Sequence, residues 1–567
     1  MHGRVKTRTT AEQQEIKRKE REKKVKLYRA GMEKVFNKRK NDELDEELLE
    51  AIGQLLTANP DIYTLWNIRR ETLLHFQEFR SKDQMQQLME IELQLTERTL
   101  HVNPKSYGAW HHRAWVLDNM PESNWSRELA LCNKYLDMDE RNFHTWHYRQ
   151  FVVSRANVSP TKEFEFTSAK ITTNFSNYSS WHYRSRLLPL LYPDPTGRRP
   201  IQENKHKEEL ELVQNAAFTD PNDQSAWFYQ RWLLGRGKQP FIVQNAFVSR
   251  DVIFITMSQE VSLADVELKL IINGTTAQGA WHSSDGNVYS HLWIFSPSSE
   301  IYHGDIILSE VTVQVMEKNT THSIHVPLVI DGDLAWTSTE SQFGLQFSEG
   351  LTSVLEEELD SCAQLLELEP DSKWTLLTSI LLMQAIDRHK YREATMEKLQ
   401  LLSRVDQLRS GYYNDLRSRY LMEYAVDANQ TAVKSVLPKE INLSNSSLTA
   451  LYHVHHLSLF RNVDLSCNML KLSLAKLHLL QNCQVLKLDN NCINTLAAFP
   501  ELRQLKELSL QNNEITGSEE LKYLKKCRKL NSVDLSGNPI MENGDNNLPK
   551  IAKEAVPSLQ KLNGFLI

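Results

Sequence analysis

The segment NPKSYGAWHHRAW, residues 103–115, places Lys105, Tyr107, His111, His112 and Arg113 among two tryptophans. These residue types can carry chemistry or can simply pack, and their local context has to decide. Asn103 suits a helix cap and Pro104 suits a first helical turn, where its missing N–H costs nothing. Lys105 is therefore expected in an exposed first turn, slightly mismatched against the positive end of the helix dipole. A second candidate is HVHH, His453–His456. Its place inside a repeat, without a cysteine or carboxylate at ligand spacing, favours surface histidines over a metal cluster. The six cysteines, Cys132, Cys362, Cys467, Cys483, Cys492 and Cys527, form no CxxC pair. They read neither as a disulfide framework nor as a zinc site, so no metal-ligating set is expected in this chain.

The opening stretch recurs. NPDIYTLWNIRR starts at Asn59, ERNFHTWHYRQF at Glu140, NFSNYSSWHYRSRLL at Asn174 and DPNDQSAWFYQRWLL at Asp220. Their tryptophans, Trp66, Trp110, Trp146, Trp181 and Trp227, lie 44, 36, 35 and 46 residues apart. That period marks an array of helical hairpins. Arg69, Arg113, Arg149 and Arg184 each follow their tryptophan by three residues, whereas the fifth unit has Gln230 there and Arg231 next. A weaker sixth unit centres on Trp374. Between motifs, Trp125, Leu129, Cys132 and Leu136 form one apolar helical stripe. Stacking would hide such stripes, curve the array into a crescent, and make most of the recurring Trp, Tyr and Arg residues packing between repeats.

The texture then changes twice. Val266, Leu268, Leu270 and Ile272 alternate ahead of an Asn273-Gly274 turn, and Val311, Val313 and Val315 repeat the alternation with Ile324 and Val326 as hairpin mates. Short strands separated by turns over about a hundred residues read as a β-sandwich (Ig-like). From Ile441, INLSNS, VDLSCN, LKLDNN, LSLQNN and VDLSGN end at Ser446, Asn468, Asn491, Asn513 and Asn538, spaced 22, 23, 22 and 25 apart. This is a leucine-rich repeat pattern, in which a short strand is followed by an Asn that bonds the backbone of its turn. The expected fold is multidomain: a helical-hairpin crescent (α-α superhelix) over 1–237, an inserted β-sandwich over 238–347, resumed helical repeats over 348–440, and leucine-rich repeats over 441–567.

Composition narrows the class. With 41% hydrophobic and 24% charged residues the chain is ordinary for globular protein, and its net charge of −6 leaves no nucleic-acid footprint. Residues 1–40 hold 15 Lys/Arg against 5 Asp/Glu, read as a solvated helix because Leu27, Met32, Val35 and Phe36 recur near helical spacing. No run approaches a membrane helix of about 20 apolar residues. With no apolar leader evident and no disulfide pattern, a cytoplasmic location is expected.

The pattern Pro104, Tyr107, Trp110, Arg113 resembles the repeat of protein prenyltransferase α subunits, over most of 55–235 and weakly around Trp374. A β-sandwich set late in the crescent, then a leucine-rich tail, is most similar to the animal Rab geranylgeranyltransferase branch of that family. The resemblance implies a β subunit that holds zinc and geranylgeranyl diphosphate, Rab GTPases as substrates, and a Rab escort protein that presents them. It further implies that Lys105, matching a family lysine, stabilises the departing diphosphate, and that Tyr107 and His144 approach the same pocket. A family tyrosine is replaced here by Phe143, so one hydroxyl contact is lost. Two other readings stay open: a non-catalytic helical and leucine-rich scaffold, and a farnesyl-type α subunit.

Overall fold

The computed structural model describes residues 11–195, 199–235, 241–298, 311–317, 320–326, 333–338, 343, 347–432, 439–471, 473–541 and 547–567. Contacts divide the chain into two units. The first comprises Met1–Pro193, Asn215–Ala217 and Asp223–Trp232; the second comprises Asp194–Gln214, Phe218–Asn222 and Leu233–Ile567.

The first unit is helical. The basic segment forms α1 (Ala11–Lys40), largely exposed apart from positions such as Val35. Hairpins follow: α2 (Glu46–Ala58) with α3 (Tyr63–Gln77), α4 (Lys82–Val102) with α5 (Tyr107–Asn119), α6 (Trp125–Met138) with α7 (Phe143–Arg155), and α8 (Pro160–Thr173) with α9 (Tyr178–Leu191). Helix α11 (Gln224–Leu233) completes the series, and α10 (Glu203–Thr219), which precedes it in the chain, falls mostly in the second unit. Starts are marked by side-chain caps. Ser81 and Gln84 form a reciprocal capping box on α4, and Ser159 caps α8 with Pro160 in its first turn. On α6, Cys132 and Leu136 are buried while Trp125 and Leu129 pack partly buried beside them, matching the apolar stripe.

The helix-start reading at Pro104 is corrected. Asn103 caps the C-terminus of α4, with its N–H on the Thr99 carbonyl, and Ser106 is the N-cap of α5. Lys105 and Pro104 therefore lie in the turn before the helix. The physical reason is local: the Asn103 Oδ1 accepts the Lys105 N–H at 3.1 Å, a side-chain turn that competes with helix.

Two devices repeat along this unit. Each motif tryptophan donates its indole N–H to the carbonyl six residues earlier: Trp66 to Pro60, Trp110 to Pro104, Trp146 to Glu140 and Trp181 to Phe175, at 2.7–2.9 Å. Three of those carbonyls also accept from the cap residue of the following motif, Ser106, Asn142 and Asn177 respectively, at 2.9–3.1 Å. The motif arginines form buried two-point ion pairs with the next helix. Arg69 holds Glu92 at 2.6 and 2.6 Å, Arg113 holds Glu128 at 2.8 and 2.7 Å, and Arg149 holds Glu163 at 2.8 and 2.7 Å.

The second unit is sheet-rich, with further helices. Strands β1 (Val243–Val248), β2 (Ile253–Val261), β3 (Val266–Ile272), β4 (Thr275–Thr276), β5 (Gly279–Ser283), β6 (Ser290–Pro297), β7 (Val311–Glu317), β8 (Thr320–Val326) and β9 (Leu334–Thr337) form two antiparallel sheets. Their orders are β5-β6-β2-β1-β9 and β4-β3-β7-β8. Val266, Leu268 and Leu270 of β3 share a core with Ile255 of β2 and Val313 of β7, as the alternation requires. Asn273 and Gly274 both have positive φ, 47° and 79°, the geometry of a tight hairpin turn. Helices α12 (Glu349–Leu368), α13 (Lys373–Asp387), α14 (Arg392–Val405) and α15 (Ser410–Ala432) follow, with Trp374 buried in α13.

Short parallel strands β10 (Glu440–Asn442), β11 (Asn462–Asp464), β12 (Val485–Lys487), β13 (Glu507–Ser509), β14 (Ser532–Asp534) and β15 (Lys561–Leu562) then stack in sequence order. Ile441, Val463, Leu486, Leu508, Val533 and Leu562 are in register along the sheet and all buried. The recurring asparagines do more than close their own turns. Asn491 Nδ2 donates to Leu488 O at 3.1 Å and to Leu465 O of the preceding strand at 2.9 Å, while its Oδ1 accepts the Leu470 N–H. Asn468, Asn513 and Asn538 repeat the arrangement. Among the described residues no helix is long and apolar enough to cross a membrane.

Candidate functional site

Five turns precede the tryptophan helices, and all are built alike. Asn59, Asn103, Asp139, Asn174 and Asp220 each accept, through a side-chain oxygen, the N–H of the residue two places on. Those residues are Asp61, Lys105, Arg141, Ser176 and Asn222, each five places before its tryptophan. The N–H of each turn residue is held in this way, while its side chain differs between repeats and can reach a neighbouring turn: Asn103 Nδ2 donates to Asp61 Oδ2 at 2.9 Å. Sequence reading found Lys105 in this row but missed Arg141, because its turn lacks the proline that framed the other motifs. Counting back five from Trp146 would have found it. Arg141 donates to Ser176 Oγ at 3.1 Å.

Tyr63, Tyr107, Phe143 and Tyr178 begin successive tryptophan helices, and all are exposed. For Tyr107 this decides between a core and a surface role, since 71% of it is accessible. Its ring meets His144 edge-on at 4.3 Å and lies 6.2 Å from Phe143. His144 is nearly buried, its N–H held by Asn142 Oδ1 at 3.1 Å. Burial pushes the His144 imidazole below its ordinary value, and the Lys105 charge adds to the effect. Lys105 itself is exposed, with Nζ 3.8 Å from Asp139 Oδ2. The structure therefore brings together the three residues singled out in the sequence: a cation, an exposed phenol and an imidazole biased to its neutral form. Such a group can receive an anion.

The neighbouring motif residues are committed to the scaffold. His112 is fully buried, with Nε2 3.0 Å from Glu92 Oε2. Burial alone would raise the Glu92 carboxyl; Arg69 and His112 outweigh it and hold the group at about 2. Arg113 is buried against Glu128, whose Oε2 also accepts the Tyr148 hydroxyl at 2.6 Å. These glutamates were not picked out from the sequence. Each helix after an arginine motif carries at least one Glu, but α4 and α8 carry more than one, so the chain alone does not single out the partner.

The HVHH histidines are the clearest correction. They were expected at the surface, yet His455 and His456 are buried and His453 is half-buried. The adjoining apolar core of residues such as Leu451, Val454 and Leu457 draws the segment inward.

A helical array in which four successive hairpins carry a buried tryptophan with a buried arginine three residues on defines a class. Residues 45–76, 89–120, 125–156, 160–191 and 206–237 match the protein prenyltransferase alpha subunit repeat, one match for each pair from α2–α3 to α10–α11. The chain is 43% identical over 556 residues to the geranylgeranyl transferase type-2 subunit alpha of Sus scrofa, covering 96% of both chains. It is 43% identical over 555 residues to that of Homo sapiens, again covering 96% of both, and 41% identical to that of Rattus norvegicus, covering 99% of this chain and 100% of the relative. The chain belongs to the geranylgeranyl transferase type-2 α-subunit family.

Proposed function

We propose that the chain is the α subunit of a heterodimeric protein geranylgeranyltransferase that modifies C-terminal cysteines of Rab GTPases presented by an escort protein. The β subunit would hold the zinc and the geranylgeranyl diphosphate, and the complex would work in the cytoplasm. A cysteine thiolate attacks C1 of the lipid, the C1–O bond breaks, a thioether forms, and diphosphate leaves with the bonding electrons. The observation that carries the reading is the grouping of the exposed Lys105 and Tyr107 with the buried His144 beneath the Tyr107 ring, outside the ion pairs that occupy Arg113 and His112. The exposed aromatic row of Tyr63, Tyr107, Phe143 and Tyr178 suits burial against a β subunit.

Within that reading, Lys105 faces the leaving diphosphate. Negative charge on the leaving oxygen grows as the bond stretches, and a lysine placed there favours the transition state over bound lipid. Tyr107 adds a hydroxyl donor, and a neutral His144 avoids competing for the anion. The two-sheet region is proposed as an Ig-like sandwich and the parallel-strand stack as a leucine-rich repeat domain. Both serve docking rather than lipid transfer, over the boundaries expected from the sequence.

The test is co-purification of the chain with a candidate β subunit, followed by single-turnover lipid transfer to Rab plus escort protein and to a short C-terminal peptide. Transfer to Rab only with all components is expected; transfer by the chain alone would overturn the reading. Lys105→Ala in the complex should lower the chemical rate about 10- to 1,000-fold, with a smaller change in lipid affinity. Lys105→Arg should rescue only in part, because a planar fork does not replace a compact ammonium. Normal chemistry in Lys105→Ala would remove the lysine from the mechanism.

A further inference from the structure

We infer that His453, His455 and His456 form a binding site for a zinc-class transition-metal ion, structural in role and separate from the proposed prenyl-transfer site. One ring nitrogen from each of the three residues lies within 4.8 Å of the other two, the one such His/Cys/Asp/Glu group among the described residues. Backbone geometry produces this. His453 has a left-handed φ of 55°, uncommon outside glycine, and is followed by a single 3-10 turn, Val454–Leu457, with the His456 N–H on the His453 carbonyl at 3.0 Å. That bend turns three imidazoles from four consecutive residues toward one point.

The surroundings fit a metal ion better than they fit imidazoles alone. His455 Nε2 and both ring nitrogens of His456 are buried without a hydrogen-bond partner. Each unpartnered buried polar atom costs about 1–3 kcal/mol, and an ion bound by His455 Nε2 and by one ring nitrogen of His456 would satisfy two of the three. His453 Nε2 lies 3.2 Å from Glu423 Oε1. A proton on Nε2 leaves the Nδ1 lone pair available, the carboxylate–histidine arrangement that commonly orients metal ligands. Glu423 is itself fixed by Arg419 at 2.9 Å and lies 3.5 Å from Arg388, so it serves as an orienting group and not as a fourth ligand.

The walls are apolar and rigid. The Phe343 ring sits 4.8 Å from His453 and 5.1 Å from His456, and His291 of β6 stacks on His455 at 4.5 Å. The turn is further tied to β1, where Asn245 Nδ2 donates to the His455 carbonyl at 3.0 Å. Three imidazoles without thiolates or carboxylate ligands select a borderline dication of the zinc class over calcium or magnesium. Bonds of about 2.0–2.1 Å draw the nitrogens somewhat closer, and water can complete a tetrahedron.

The experiment uses the full-length chain, free of any histidine tag and without a β subunit, so that no partner metal contributes. After chelator treatment it is titrated with cobalt(II) and then zinc(II). One cobalt per chain with a tetrahedral ligand-field spectrum, displaced by zinc, is expected. His455→Gln and His456→Leu should each take the stoichiometry from one to zero while the far-ultraviolet spectrum stays unchanged. Should either variant fail to fold, X-ray absorption of the zinc-loaded wild type decides: nitrogen-only ligation with imidazole scattering supports the site, and sulfur ligation overturns it. Absence of stoichiometric cobalt binding by the wild-type chain, or undiminished binding by the folded variants, overturns it equally.

Discussion

The helical hairpins around α5 and the parallel-strand stack from β10 to β15 answer the same problem with different chemistry. In a linear repeat each turn leaves carbonyls and N–H groups facing its neighbour, where water is excluded. The helical unit answers with indole and cap donors on one shared carbonyl, and adds charge: an Arg–Glu pair, nearly dry, between successive hairpins. The strand stack answers chiefly with an asparagine ladder, each amide bonding its own turn and the one before, with Asp489 as an added acceptor for the Gln511 N–H and the Ser509 hydroxyl. Ionic stitching is therefore sensitive to the loss of one partner and to acid, whereas the amide ladder has no member that titrates. The helical repeats gain a second property: with the tryptophan and arginine bonds inside, the turn residue can be Asp61, Lys105 or Arg141, and Asp61 and Arg141 each add a side-chain bond to the next turn.

The largest expected effect comes from breaking one ionic stitch. Arg113→Ala strands Glu128 in the interior with only the Tyr148 hydroxyl, and should cost about 3–5 kcal/mol in the helical unit. Calorimetry of wild type and variant checks this; a loss below about 1 kcal/mol would mean the pair is not what holds the hairpins together. Next is acid. Glu92 is held at about 2 against an ordinary 4.5, so it binds its proton less readily folded than unfolded. Its contribution, about 3 kcal/mol, is complete above pH 4.5 and is lost as pH falls through 4.5 toward 2. Denaturant melts at pH 7 and pH 3, resolved into their transitions, should show Glu92→Gln removing part of the acid sensitivity of the helical unit.

Asn491→Ala should cost less than the arginine change, about 1–3 kcal/mol. It leaves the Leu470 N–H without its amide partner and removes one of two asparagine donors from the Leu465 and Leu488 carbonyls, which keep Asn468 and Asn513. That loss should be the same at pH 7 and pH 3, and a strong pH dependence would erase the contrast between the two regions. The smallest effect is predicted for Lys105→Ala, under about 0.5 kcal/mol in stability. Its one ion pair, to Asp139, spans 3.8 Å between exposed groups, and such surface pairs contribute little. A clear drop in melting temperature would show that the turn residue belongs to the stitching after all.

Much was legible in the chain alone, for reasons that can be named. The tryptophan period, the alternation of Val266–Ile272 and the asparagine spacing are local patterns, and each element follows from its own residues. The family resemblance and the candidate trio Lys105, Tyr107 and His144 came from the same local motif. Tertiary structure decided what depends on partners distant in sequence. It matched Arg69, Arg113 and Arg149 with glutamates 14–23 residues away. It exposed Tyr107, whose side chain could equally have packed inward, because the first residue of each tryptophan helix falls outside the stacked stripes. The place of Lys105 before the helix was, by contrast, a local matter open to the sequence, since the Asn103 side chain captures its N–H before a helical turn can. And tertiary structure buried HVHH: Glu423 and Phe343 approach from positions 30 or more residues away or on another element, and no spacing rule along the chain announces that meeting.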